Sequence, residues 1–210
     1  MKRKIIIFDI CDTIYNSNTT FDFLDYEFKG NKRYMLSRKI SKTIFFRAIN
    51  KSLKLFTVDF TRAYFLYYLK GYSKHNLDVA VDNFFDDVLT HKKRQWVIDK
   101  LTKLKDEGKP VILVSATIDA IAKRIASEFS VEYLSSAISF RGDICSGRLE
   151  RDLLGNKENY IHEDIELIVT DNLSDLPLVR MAEKSIILSS KKNITYWKDQ
   201  NLQNCRIVTI

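Results

Sequence analysis

The sequence contains few of the residues that mark disordered or fibrous chains. Its 210 residues include only two prolines and six glycines, with no internal repeat and no flexible linker. This composition excludes collagen-like, low-complexity and disordered classes. The length is typical of one ordinary domain, or of a core with a smaller inserted unit.

Cysteines and long apolar runs are also scarce. Cys11, Cys145 and Cys205 are odd in number and have no disulfide or metal-ligand spacing, which predicts a reduced compartment. A run of only four apolar residues leads to Asp9, too few for a signal peptide, and no stretch approaches the ~18 apolar residues of a membrane span. We therefore expect a cytoplasmic protein, with attachment to a membrane surface left open.

The net charge of +7 is unevenly placed. Residues 16–95 hold 15 basic and 8 acidic side chains, whereas the other 130 residues hold 19 of each sign. The same segment holds 16 of the 23 Phe and Tyr residues. This asymmetry predicts two units, one neutral and one basic.

Short apolar runs alternate with helical patterns over most of the chain. Strands are predicted at Ile5–Ile10, Val111–Val114, Leu167–Val169, Ser185–Leu188 and Arg206–Ile210. Helices are predicted at Trp96–Leu104, Ile118–Phe129 and Leu176–Ala182, and a hairpin or extended loop at Phe140–Leu149. The alternation predicts an α/β fold with a Rossmann-like parallel sheet.

One segment breaks the alternation. Apolar residues at helical spacing run from Met35 to Phe56, from Tyr64 to Leu69 and from Val79 to Leu89. We interpret residues 17–90 as an inserted all-helical cap. The α/β core is then formed by residues 1–16 and 91–210.

Acidic side chains follow two of the predicted strands. Asp9 and Thr13 follow the first, and Asp171 and Asp175 follow the third. Ligands of parallel sheets bind beyond the carboxyl ends of the strands, and a carboxylate there is costly unless it is paired or binds a metal. Converging carboxylates predict a site for a hard divalent cation, with Mg²⁺ the best fit.

Two further residues predict an anion beside that metal. Ser115 ends the second predicted strand and opens a predicted helix, whose first N–H groups would be available to an anion. Lys157 adds a cation. Carboxylates, metal, helix N-terminus and lysine together indicate phosphoryl-group chemistry.

These residues resemble the four motifs of the haloacid dehalogenase-like superfamily, in order and over essentially the whole chain. Phe8–Ile14 is similar to the first motif, Asp-x-Asp-x-Thr after an apolar strand, and Ile112–Thr117 to the second. Lys157 stands in the place of the third, and Val169–Pro177 resembles the fourth. A helical cap between the first and second motifs is typical of the phosphoserine-phosphatase branch.

The resemblance implies a role for each matching residue. Asp9 would be the nucleophile that forms an aspartyl phosphate. Thr13 would orient the nucleophile loop. The proposed Mg²⁺ ligands are Asp9, the Cys11 backbone carbonyl and Asp171, with Asp175 in support. The proposed binding residues for the phosphorylated substrate are Thr13, Ser115, Ala116 and Lys157.

The first motif departs from the family at one position. Cys11 replaces the second Asp, which in phosphatases protonates the leaving group and then activates water, and Asp12 replaces the usual Gly. The loss should remove a general acid–base contribution of roughly 10²–10⁴-fold. A thiol with a reference pKa of about 8.5 is a possible acid but a poor base. Asp12 is an alternative proton carrier, although its side chain should leave the backbone in another direction.

Superfamily branches that replace this Asp include haloacid dehalogenases, phosphonatases and P-type ATPases. The leading prediction is a Mg²⁺-dependent phosphatase that acts on a small anionic phosphate monoester. A phosphotransferase with a long-lived intermediate, a non-phosphatase hydrolase and a catalytically degenerate binding protein remain alternatives.

Several of these residues also have simpler interpretations. Asp175 could cap the helix that begins at Leu176, and Ser115 or Thr117 could cap the helix after the second strand. Cys11 could only fill space as a small apolar residue.

The basic stretch from Lys29 to Lys54 has nine basic residues and no acidic one. It could be a solvated cap face, a surface that attracts anionic substrate, or an amphipathic helix on an anionic membrane with Phe45, Phe46 and Ile49 inserted. Nucleic-acid binding has no recognisable motif in its favour.

Overall fold

The computed structural model describes residues 4–43 and 59–210, and a sheet of seven strands lies at its centre. The strands are β1 (Lys4–Phe8), β2 (Val111–Ile118), β3 (Glu132–Arg141), β4 (Ile144–Arg151), β5 (Asp164–Thr170), β6 (Ser185–Ser189) and β7 (Cys205–Thr209). Their order is β4-β3-β2-β1-β5-β6-β7, and only β3 and β4 pair antiparallel. The predicted α/β fold with a Rossmann-like, mostly parallel sheet is confirmed.

The β3–β4 hairpin was only partly visible in the sequence. Its turn contains Gly142 in the left-handed region, with φ of 61°, as a tight turn requires. β3 begins well before the predicted hairpin, already at Glu132. Ser135 and Ser136 are fully buried within it, and these two polar residues interrupt the apolar pattern that marks a strand.

The central strand β1 is buried on both faces, as its continuous apolar run predicts. Successive side chains of a strand point to opposite faces, so Ile6 and Phe8 join one hydrophobic cluster while Ile5 and Ile7 join the other. β1 therefore carries Asp9 to the middle of the sheet edge, between β2 and β5.

Eight helices lie in the connections between strands in the described part of the chain. They are α1 (Thr19–Glu27), α2 (Lys32–Ser41), α3 (Phe60–Leu66), α4 (Lys74–Asp87), α5 (Gln95–Asp106), α6 (Asp119–Phe129), α7 (Leu176–Met181) and α8 (Ile194–Asp199). Short 3₁₀ turns include Tyr67–Leu69 and Lys157–Tyr160.

The described part of the predicted cap is helical. Side chains of Asn18, Asn31, Asp59 and Ser73 accept backbone hydrogen bonds at the first turns of α1 to α4, which fixes where these helices begin. The helical pattern from Ile44 to Phe56, with the membrane-inserting residues assigned to it, lies outside the described residues.

The insert packs directly on the core. Phe23, Phe65 and Phe84 belong to the same hydrophobic cluster as Ile6 and Phe8 of β1. The division into a core at 1–16 and 91–210 and a cap at 17–90 stays a prediction. Among residues 4–43 and 59–210, the helices are too short or too polar to cross a membrane.

Candidate active site

Asp9 lies directly after β1 and is almost completely buried. Its Oδ1 accepts a hydrogen bond of 2.8 Å from the Ile10 backbone N–H, and Lys157 Nζ lies 3.1 Å from the same oxygen. Burial raises the pKa of Asp9 because it penalises the charged form, while Lys157 acts in the opposite direction. Lys157 and the Ile10 N–H stabilise the ionised carboxylate, but burial and the charge of Asp175 outweigh them and the pKa lies above its usual value.

Lys157 is buried between two carboxylates. It begins the 3₁₀ turn Lys157–Tyr160, and its Nζ donates a 2.8 Å hydrogen bond to Asp175 Oδ2 besides contacting Asp9. Burial lowers the pKa of Lys157, but the charges of Asp9 and Asp175 outweigh it and the pKa lies above its usual value. Lys157 is therefore a fixed cation at the nucleophile predicted from the motif.

Asp175 does not cap the helix that follows it, and its predicted support of the metal stays a prediction. It stands at the start of α7, but its side chain makes no capping hydrogen bond. Its Oδ2 instead accepts hydrogen bonds from Lys157 and from Thr170 Oγ1, the latter at 2.7 Å. One oxygen of the carboxylate is thus bonded to the lysine, while Oδ1 is buried without a hydrogen-bond partner among the described residues. We interpret Asp175 as the residue that positions Lys157.

Asp171 lies close to Asp9 and is linked to the nucleophile loop. Thr13 Oγ1 donates a 3.2 Å hydrogen bond to Asp171 Oδ1. Burial, followed by the negative charges of Asp9 and Asp12, raises the pKa of Asp171 to about 8. Thr13 is fully buried and bonded to Asp171, an arrangement that suits orienting the loop rather than contacting substrate.

The pair Asp9 and Asp171 fits a divalent cation. Asp9 is buried and Asp171 is half-buried, and two carboxylates this close are expected to gain from a cation between them. No group of three or more His, Cys, Asp or Glu side chains converges into a metal site among residues 4–43 and 59–210. Mg²⁺ needs no such group, because it is commonly held by one or two carboxylates with backbone oxygens and waters.

Cys11 faces the space where the motif would place its second Asp. Its Sγ lies 3.1 Å from Thr19 Oγ1, and Ser115 Oγ approaches it at 3.9 Å. Burial, and then the neighbouring charge of Asp9, raise the pKa of the Cys11 thiol to about 11. The thiol is therefore neutral at physiological pH and a weaker acid than its free form.

Asp12 has a different orientation from Cys11. Its φ of 49° lies in the left-handed region, which explains why the family uses Gly there. Asp22 and Arg94 are among the charges that act on its carboxyl group, and Arg94 also donates to its backbone carbonyl. Unlike Cys11, Asp12 does not line the cavity beside Asp9.

The helix predicted at Ile118–Phe129 is confirmed to within one residue, but Ser115 does not open it. β2 continues to Ile118 through an irregularity in its pairing with β3, and α6 begins at Asp119. Ser115 and Thr117 therefore do not cap α6, and the predicted helix N-terminus for an anion is not located at Ser115. Ser115 nevertheless lines the cavity beside Asp9, together with Ala116.

Arg62 is a site residue that the sequence analysis missed. α3 carries it from the insert into the core, where it is 5% exposed and donates hydrogen bonds to Asp152 and to the Ala116 carbonyl. Ser136 Oγ donates to the same Asp152 oxygen at 3.2 Å. No motif marks Arg62, because its place at the site depends on how the insert packs on β2 and β4.

Several of the residues described above line a cavity of about 190 Å³. Residues from both the insert and the sheet edge form its wall: Asp9, Cys11, Asn18, Thr20, Phe21, Asp59, Arg62, Ser115, Ala116, Thr117, Leu154, Lys157 and Asn172. A buried carboxylate, a buried lysine and a serine thus share one small cavity, an arrangement compatible with transfer of a phosphoryl group to Asp9.

Comparison with solved structures shows the same fold in proteins of low sequence identity. A protein of unknown function from Bordetella pertussis Tohama I has a TM-score of 0.72 and 16% identity, with 99% of each chain covered. Phosphoserine phosphatase in its apo form has a TM-score of 0.61 and 17% identity, covering 98% of this chain and 94% of the other. Cytosolic 5′-nucleotidase IIIB bound to cytidine has a TM-score of 0.61 and 13% identity, covering 99% and 80%.

A family model matches most of the chain. No curated protein matches the sequence, but the model described as haloacid dehalogenase-like hydrolase matches residues 6–180. This range contains all four motifs and every side chain of the cavity wall. The chain belongs to the haloacid dehalogenase-like hydrolase family, and its fold is that of the phosphoserine-phosphatase branch.

Proposed function

We propose that the chain hydrolyses a small phosphate monoester in the presence of Mg²⁺, through a phosphoryl group carried on Asp9. The observation that carries this proposal is the buried Asp9 carboxylate in the cavity wall, with Lys157 Nζ 3.1 Å from Oδ1. A carboxylate fixed in this way is suited to attack phosphorus rather than to abstract a proton.

The proposed reaction has two steps. In the first, an oxygen of Asp9 bonds to phosphorus, the ester P–O bond breaks, and the leaving oxygen takes up a proton. In the second, water attacks the phosphorus of the aspartyl phosphate, a proton leaves that water, and inorganic phosphate departs. Ser115 and Lys157 bind the phosphoryl oxygens in both steps, and Asp175 holds Lys157 in place.

Asp9 and Asp171, with the Cys11 backbone carbonyl, would hold Mg²⁺. When bound, Mg²⁺ would neutralise negative charge on the phosphoryl oxygens. The two carboxylates supply the hard oxygen ligands that this ion prefers. Burial, followed by the charges of Asp9 and Asp12, raises the pKa of Asp171, and the ion would offset those charges.

The cavity favours a small substrate. The structural neighbours are named for phosphoserine and for 5′-nucleotides, so the shared fold does not choose between these classes. A volume of about 190 Å³ lies below the ~300 Å³ at which ligand pockets usually begin, which favours a compact phosphate ester over a mononucleotide. Arg62 lines the cavity and would contact the rest of such a molecule, with Asp152 holding its guanidinium group.

Asp9→Asn tests the proposal. Wild-type protein with Mg²⁺ and a generic aryl phosphate should show turnover, and the variant should show none, because an amide is not a competent nucleophile. Asp99→Asn makes the same change at an exposed position on α5 and should retain wild-type turnover. Unchanged activity in Asp9→Asn would rule the proposal out.

The replacement of the second Asp by Cys11 favours one alternative, phosphoryl transfer to an acceptor other than water. A thiol with a pKa of about 11 is a poor base for activating water, so the phosphoenzyme would persist. Trapping of phospho-Asp9 with slow hydrolysis would support transfer. Binding of phosphate esters with neither trapping nor turnover would support a degenerate binding protein.

The insert also offers a surface for peripheral contact with an anionic membrane. α2 exposes Met35, Leu36 and Ile40 next to Lys32 and Lys39, and it contains no acidic residue. Mixed basic and apolar side chains on one helix face are typical of interfacial helices. The test is cosedimentation with phosphatidylglycerol vesicles. Binding that is lost in Lys32→Gln/Lys39→Gln but kept in the matched pair Lys103→Gln/Lys198→Gln would support a cytoplasmic protein that binds membranes reversibly.

A further inference from the structure

A second cavity, of about 400 Å³, lies between the insert and the β3–β4 hairpin. Its wall combines the 3₁₀ turn after α3 with the strands of the hairpin: Tyr67, Lys70, Gly71, Ser139, Arg141, Ile144, Cys145, Ser146 and Arg148. None of these residues lines the cavity beside Asp9. The two cavities are therefore separate, and this one is the larger.

The wall of the second cavity carries positive charge only. Lys70, Arg141 and Arg148 are its ionisable cations, and no carboxylate lines it. None of the three makes an ion pair within residues 4–43 and 59–210, so their mutual repulsion is not balanced by the protein. Unbalanced cations around a concave surface attract a small anion.

Hydroxyl groups add hydrogen-bonding capacity to this charge. Ser146 Oγ is buried and has no hydrogen-bond partner within the described residues, which costs stability unless a ligand or water supplies one. Tyr67 hydroxyl accepts a hydrogen bond of 3.1 Å from Lys70 Nζ. Hydrogen bonding from Lys70, its charge and the more distant charge of Arg148 lower the pKa of Tyr67.

The two walls of the cavity are joined by main-chain hydrogen bonds. The Gly71 N–H donates to the Cys145 carbonyl at 3.0 Å, and the Cys145 N–H donates to the Tyr72 carbonyl at 2.8 Å. Gly147 lies so close to the insert that a Cβ there would meet Tyr67 Cα at 2.9 Å. The cavity is thus preformed by contacts that do not depend on a ligand.

We propose that this second cavity binds a small phosphorylated anion at a site distinct from the catalytic one. Arginine and lysine side chains bind phosphate oxygens through charge-assisted hydrogen bonds, and Ser146 would donate another. The volume of about 400 Å³ falls within the ~300–1,000 Å³ of ligand pockets, so an organic phosphate fits as a whole. Binding here would contact the insert and the hairpin together.

Inorganic pyrophosphate is the probe, used on the full chain without divalent metal. Calorimetry should show binding to wild type that weakens about tenfold or more in Arg141→Gln/Arg148→Gln, since two charge-assisted contacts are lost. The matched pair Arg180→Gln/Arg206→Gln removes the same charge from exposed positions elsewhere and should bind like wild type. Equal binding by both pairs would overturn the proposal.

Site-resolved labelling separates this site from the catalytic one. Pyrophosphate should slow phenylglyoxal modification of Arg141 and Arg148, while exposed Arg33 on α2 reacts at an unchanged rate. Labelling of all three at unchanged rates would also overturn the proposal. Turnover is not measured, so a failure of the proposed hydrolase activity would leave this result readable.

Ser146→Ala adds a readout that a purely structural role would not produce. Removal of a buried hydroxyl without a partner should leave the free energy of unfolding unchanged or slightly higher. Pyrophosphate binding should weaken at the same time. Pyrophosphate binding that is unchanged in both Ser146→Ala and Arg141→Gln/Arg148→Gln would contradict the assignment of the second cavity as an anion site.

Discussion

At the scale of single residues, the Cys11 thiol is expected to limit the rate of the proposed hydrolysis. Its Sγ lies between Thr19 and Ser115 in the cavity wall, where the motif places a carboxyl group. Because its pKa is about 11, the thiol is protonated but is a weak general acid. Leaving groups that depart without a proton, such as aryl oxides, should therefore be favoured over alkoxides.

Cys11→Asp should raise the turnover of an alkyl phosphate by roughly 10²-fold or more, because it restores a general acid–base group. The gain for an aryl phosphate should be smaller. The measurement is kcat for both substrates with Mg²⁺. Cys11→Asn is the control: Asn has nearly the shape of Asp but no acidic group, so kcat should not rise. A lower kcat in Cys11→Asp than in wild type would show that the thiol itself takes part in the reaction.

Asp175→Asn addresses the residue behind Lys157. The change keeps the side-chain shape but leaves Lys157 with Asp9 as its sole carboxylate partner among the described residues. A buried pair broken on one side should lower the free energy of unfolding by about 3 kcal/mol, as urea denaturation would measure. Exposed Asp199→Asn is the control, and equal stability of both variants would mean that Asp175 does not position Lys157.

At the scale of elements, the junction between the insert and the β3–β4 hairpin determines how the two parts fit. Gly147 has φ of 72° and lies in backbone contact with Tyr67, whereas Gly142 in the hairpin turn has φ of 61° and open space around it. The two glycines share a backbone conformation but differ in their surroundings.

Gly147→Ala and Gly142→Ala separate these two effects. Gly142→Ala should cost about 1 kcal/mol of unfolding free energy, from the left-handed backbone alone. Gly147→Ala should cost a further ~1–3 kcal/mol, because its Cβ overlaps Tyr67. Thermal or urea unfolding measures the loss of unfolding free energy in each variant. Equal losses would show that the insert shifts at little energetic cost to make room for the added Cβ.

Elements also show where sequence reasoning reached its limit. Asp9, Ser115, Lys157 and Asp171 stand in motifs with a fixed order, so their convergence at one sheet edge could be predicted. The continuation of β2 beyond Ser115 depends on irregular pairing with β3, a strand whose buried serines hide it. The position of α3 against the core likewise follows from tertiary packing, which no local pattern encodes.

At the scale of the whole molecule, the site is a source of instability. Asp9 is buried and Asp171 lies half-buried near it, and their repulsion lowers the stability of the metal-free fold. Proteins often keep such costs where function needs them. Stability should therefore depend on Mg²⁺ as well as on the core.

Asp171→Asn should raise the free energy of unfolding of the metal-free protein by about 1–2 kcal/mol, since one repelling charge is removed. Mg²⁺ should raise the melting temperature of wild type but not that of the variant. Exposed Asp164→Asn, at the other end of β5, should behave like wild type in both respects. A Mg²⁺ response that persists in Asp171→Asn would exclude Asp171 as a ligand.

The central position of β1 also has a consequence for how the protein forms. β1 pairs with β2 and β5, and Thr13 bonds to Asp171, a partner 158 residues further along the chain. Local helices form early, whereas contacts of such long range form late. During synthesis Asp9 emerges long before Lys157 and Asp171, so its carboxylate stays without the Lys157 ammonium group until β1 to β4 have all been made.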